Sequence, residues 1–74
     1  MKIALIDTRT GRPGESLGTL LSLHETTAAA FKANGIFQKH CGPPVVTKIV
    51  RIQQEVIVGE LVKPDHLARP GETA

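Results

Sequence analysis

Residues 22–41, SLHETTAAAFKANGIFQKHC, are the only stretch of this chain with helical spacing, and Gly42-Pro43-Pro44 closes it. Consecutive prolines offer no N–H donors and force extended backbone, so no helix continues through them. The chain must therefore fold around one helix, with something other than helix on either side. At about 100° per residue, Leu23, Thr26, Thr27, Ala30, Phe31, Ala33, Asn34 and Phe37 share one broad face. Glu25, Lys32 and Lys39 share the other. Ser22 followed three residues later by Glu25 is a capping box, which predicts the helix start. Asn34-Gly35 is stop chemistry, because glycine enters the left-handed conformation without a Cβ penalty. The expectation is a helix over residues 23–34, then a looser turn or a short second helix to Cys41. Phe31 and Phe37, both aromatic residues of the chain, are expected as core anchors.

The flanking segments read as strands. Residues 2–7 are apolar on both faces, Ile3 and Leu5 on one and Ala4 and Ile6 on the other, as in a central strand. Residues 8–14, TRTGRPG, carry turn chemistry. A second strand over residues 15–20 can form a hairpin with the first, with Gly18 marking a bulge or a close backbone approach. After the helix, residues 45–52 (VVTKIVRI) give the strongest strand signal, β-branched and preceded by Pro-Pro. Its alternation puts Val45, Thr47, Ile49 and Arg51 on one side and Val46, Lys48, Val50 and Ile52 on the other. A cation on each face suits an edge strand or a strand covered at one end. Residues 55–62 are also strand-like, and Gln53-Gln54 is poor turn chemistry. The two runs are either one long bent strand or two strands joined by a bulge. The fold class expected is α+β: a small single domain over residues 1–63, β-β-α-β(-β), with one helix packed on an antiparallel sheet. Residues 64–74 read as a flexible C-terminal tail, with one helical turn that Asp65 could start. The expected core is Ile3, Leu5, Leu23, Ala30, Phe31, Phe37, Val46, Val50 and Ile52.

Size then limits what such a fold can do. With 74 residues, two Phe and neither Trp nor Tyr, the core is aliphatic and small. A core of this kind rarely supplies more than about 3–5 kcal/mol without a staple. The single Cys41 cannot form an internal disulfide. His24, His40 and His66 have no ligand spacing to it, so no metal and no cofactor are expected. Self-association is the remaining staple, and a long strand reaching past its own sheet could pair with its symmetry mate, so a homodimer is expected. The N-terminal apolar run is too short for a signal peptide, and nothing approaches the ~18 apolar residues of a membrane span. With its lone thiol, the chain is expected to be cytoplasmic and soluble, with no membrane partner.

The candidate chemistry is thin. The basic loop at residues 8–14 has neither phosphate-loop pattern and leads into a strand, so it reads as a turn. Adjacent residues such as His40 and Cys41 usually point apart, and the carboxylates show no paired spacing, so no catalytic residue is expected and the chain reads as no enzyme. One feature stands out. No acidic residue lies between Glu25 and Glu55, while Lys32, Lys39, His40, Lys48 and Arg51 do. With Arg9 and Arg12 from the turn, Lys32, Lys39, Lys48 and Arg51 form a candidate basic patch, which could meet phosphates or an acidic protein surface. The net charge of +2 decides nothing between them. Stacking aromatics, zinc fingers and helix-turn-helix spacing are all missing, which favours a protein partner over nucleic acid. The small size and element order resemble the accessory proteins of phages and mobile elements. The functional expectation is a small non-enzymatic protein-interaction module that binds and modulates a host macromolecule. The alternative is a nucleic-acid-binding accessory protein using the basic patch.

Overall fold

A computed structural model describes residues 2–41 and 46–67. One helix packs against a curled four-stranded antiparallel sheet, in the element order β1(Lys2–Asp7), β2(Gly18–His24), α1(Thr27–Cys41), β3(Thr47–Ile52), β4(Leu61–Val62). The strand order across the sheet is β3-β1-β2-β4. The α+β class and the helix on an antiparallel sheet are as the sequence implies, and β1 is central.

Both faces of β1 are used, which is why both are apolar. Its Ala4 and Ile6 face joins Leu20, Ile52, Val56 and Val62 in a buried cluster, with Leu17, Leu23, Val50 and Leu67 packed against it. The chain after β3 supplies Val56, Val62 and Leu67 to that side. The opposite face, carrying Leu5, lies under the helix, whose Ala30 is fully buried. Burying each such aliphatic side chain contributes about 1.5–3 kcal/mol, so the core is divided between two thin layers.

The β1–β2 register shifts between Leu5, which pairs with Ser22, and Ile6, which pairs with Leu20. Leu21 is the extra residue of this bulge. It sends Leu20 and Leu23 to the buried cluster and leaves Leu21 and Ser22 on the helix side. Gly18, at φ 144°, sits where a Cβ would run into the Asp7 carbonyl oxygen. The close backbone approach expected at Gly18 is therefore present.

Several sequence expectations need correction. The helix starts at Thr27, not Leu23, with the Thr26 hydroxyl accepting from the Ala29 N–H at 3.2 Å. Ser22 and Leu23 belong to β2, and Glu25 pairs with Lys2 instead of capping. Pairing with β1 and burial of Leu23 outweigh a local capping box. The helix also runs unbroken through Asn34-Gly35 to Cys41. Among the expected core residues, Phe31 is 62% exposed and Val46 is exposed as well. The second strand lies at Gly18–His24 instead of residues 15–20, and the run at 55–62 pairs only over Leu61–Val62. Residues 47–62 thus hold two strands, β3 and β4, with a turn between them. The expected tail begins with a short 3-10 turn, Pro64–His66, whose His66 carbonyl accepts from the Gln53 N–H at 2.8 Å. Leu67 bridges to Ile52. The rest of the tail lies outside the described residues, as does Val45.

Candidate functional site

The helix does not cover its sheet face evenly. Asn34 and Gln38 lean toward β3, where Gln38 Nε2 donates to Thr47 Oγ1 at 3.2 Å. On the β2 side, the helix and the sheet border an apolar groove of about 340 Å³. Leu5 and the bulge residues Leu21 and Ser22 line its floor, and Ala33, Ile36, Phe37 and His40 line its wall. The groove follows from two local choices. Alanine at position 33 leaves space that a larger side chain would fill, and the bulge turns Leu21 into it.

The groove has a charged border. Ile36, 53% exposed, has Lys32 one turn before it and Lys39 and His40 one turn after it on the same helix side. Lys32 and Lys39 are exposed, and among the described residues neither enters an ion pair. A mouth that is apolar within and cationic at its rim suits an apolar side chain accompanied by carboxylates.

The six cations read from the sequence are not gathered on one open face. Arg9 is held by Asp7, with Nε on Oδ1 at 3.0 Å and Nη2 on Oδ2 at 2.7 Å. That bidentate pair holds the Asp7 carboxyl below the usual carboxylate range. Arg12 lies 3.9 Å from Glu15, both exposed. Lys48 pairs in register with Ile6 and Arg51 with Ile3, so these two fall on opposite faces of β3. Lys32 and Lys39 stay together, on the helix side that carries Ile36.

Near Arg12, a larger depression of about 640 Å³, with a mixed polar and apolar lining, is bounded by Thr10, Arg12, Glu15, Ser16, Leu61 and Lys63. Among the described residues, no three of His, Cys, Asp or Glu come together as metal ligands, and Cys41 is a free, exposed thiol. No described helix is long and apolar enough to cross a membrane. Sequence reasoning missed the groove because its floor depends on the bulge at Leu21, and the run Leu20-Leu21-Ser22-Leu23 was read partly as helix. The apolar run Val56-Ile57-Val58 between Glu55 and Glu60 carries exposed apolar surface at Ile57 and Val58. Comparison with protein-family models, with curated proteins and with solved structures finds no match.

Proposed function

We propose that this chain is a non-enzymatic protein-interaction module, and that its binding surface is the groove between α1 and β2. The observation that carries this reading is Ile36, exposed at the mouth of an apolar groove and flanked on its own helix side by Lys32, Lys39 and His40. Apolar surface left open and rimmed by charge is characteristic of protein docking sites. The partner is a segment presenting an apolar side chain beside carboxylates. A homodimer belongs to the same reading, since a thin two-layer core gains stability by covering exposed apolar surface. So does a cytoplasmic setting, which the single thiol of Cys41 supports. An accessory role, binding and modulating another macromolecule, fits a module of this kind.

The dispersal of Lys48 and Arg51 to opposite faces of β3 favours protein over nucleic acid, because phosphate tracking needs cations along one surface. The test is a capture experiment with the tagged chain and its Ile36→Glu variant, run beside binding assays on duplex and single-stranded nucleic acid at two salt concentrations. A protein recovered by the wild type and lost by the variant supports the groove. Nucleic-acid binding that weakens steeply with salt, by a log–log slope of about −0.9 per phosphate contact on duplex, would overturn it.

A further inference from the structure

The chain carries its own match to the groove. Ile57, Val58, Gly59 and Glu60 form a tight turn, with the Glu60 N–H donating to the Ile57 carbonyl at 3.1 Å and Gly59 at φ 97°. The turn is anchored to β2: the Gly59 N–H donates to the Leu20 carbonyl at 2.7 Å, and the Leu20 N–H donates to the Glu60 carbonyl at 2.9 Å. At its tip Ile57 is 70% exposed and Val58 57% exposed, while Val56 just before them is buried in the core cluster. Glu55 and Glu60 bracket the tip, and among the described residues neither enters an ion pair. An apolar knob between two unpaired carboxylates is the complement of an apolar groove between unpaired cations.

We propose that the groove is filled by the 55–60 turn of a second copy of this chain, each copy seating its turn in the other's groove. The inference rests on the groove reading above and names its occupant. Position supports closure into a pair. Leu20 holds the turn through its backbone at the β2 edge of the sheet, and the next residue, Leu21, lines the groove, so knob and groove adjoin across that edge. A knob and groove this near to one another can meet their counterparts in a second copy across a two-fold axis. The charges agree: Glu55 and Glu60 of one copy meet Lys32, Lys39 and His40 of the other. The turn is already fixed by its bonds to Leu20, so little ordering is needed when it docks.

Sedimentation over a concentration series tests this on the whole chain. The wild type is expected to reach the mass of two copies. Ile57→Ser and Ile36→Glu, both at exposed positions that leave the core intact, are each expected to weaken self-association about thirtyfold, as loss of an interface anchor does. Glu60→Lys and Lys39→Glu should each weaken it, and the two together in one chain should restore it. A circular-dichroism melt of every variant confirms that it folds. A wild type that stays single at all concentrations, a dimer indifferent to Ile57→Ser, or a charge exchange that restores nothing would overturn the proposal. The two readings fail separately. A single-chain wild type that still captures a protein, and loses it on Ile36→Glu, removes the second copy as occupant and leaves the groove standing. If that capture is also insensitive to Ile36→Glu, the groove reading falls as well.

Discussion

Thr47 donates its hydroxyl to the Asn34 side-chain oxygen at 2.6 Å, tying the edge strand β3 to the middle of α1. Gln38 Nε2 also reaches Asn34 Oδ1, at 3.3 Å. The asparagine of an apparent Asn-Gly helix stop is thus a tertiary tie, and the helix continues past it. Replacing Thr47 with Val removes one donor to a partly buried acceptor and should cost about 1 kcal/mol. Gly35 itself has open space where a Cβ would go, and its φ is not positive. Gly35→Ala should therefore raise stability, by about 0.5–1 kcal/mol as in an exposed helix interior. A loss in a denaturant titration would mean that the helix ends at Asn34.

Phe31 and Leu20 should respond in opposite ways to truncation. Leu20 is fully buried in the cluster on the sheet face away from the helix, so Leu20→Ala should cost about 2–5 kcal/mol and unfold much of the population. Phe31 is mostly exposed, so Phe31→Ala should cost less than ~1 kcal/mol. Equal losses in chemical denaturation would place Phe31 in the core after all.

Gly18→Ala tests the tightest backbone approach in the fold. The added methyl would collide with the Asp7 carbonyl, and φ 144° is strained for any residue with a side chain. A loss of about 2 kcal/mol or more in the same titration is expected. A neutral effect would show that β1 and β2 separate easily at this end.

Asp7 sets an acid limit. Its carboxyl ordinarily titrates near 3.8, and the hydrogen-bonded Arg9 guanidinium lowers that value in the fold. A depressed carboxylate contributes stability that is complete above the ordinary value and is lost as pH falls through the lowered one. Melting temperature should therefore fall below about pH 4 in the wild type. Asp7→Asn should start lower at neutral pH and decline less steeply on acidification. Parallel curves would remove the Asp7–Arg9 pair from the acid response.

How much of this was legible in the sequence depends on how local each signal is. The two apolar faces of Lys2–Asp7 announced a central strand, because each face meets its own layer. The alternating cations of β3 announced an edge. The helix start misled, because Ser22 and Glu25 satisfy a local pattern while Leu5 and Lys2, distant in sequence, claim both residues. Phe31 misled for a geometric reason: it lies about 100° around the helix from Ala30, the residue that the sheet buries completely. The expected basic patch combined cations by sequence interval, whereas strand alternation separates Lys48 from Arg51. The groove was invisible, because it needs a bulge that only pairing between β1 and β2 defines.

We propose the groove beside Ile36 as the place where this protein meets another protein surface. Amide and methyl chemical shifts recorded over a protein concentration series test it most directly. Concentration-dependent shifts are expected at Leu21, Ala33, Ile36 and Phe37, together with Ile57 and Val58, and they should disappear in Ile36→Glu. Shifts confined to Lys48 and Arg51 on adding nucleic acid, with the groove residues unmoved under every condition, would contradict it.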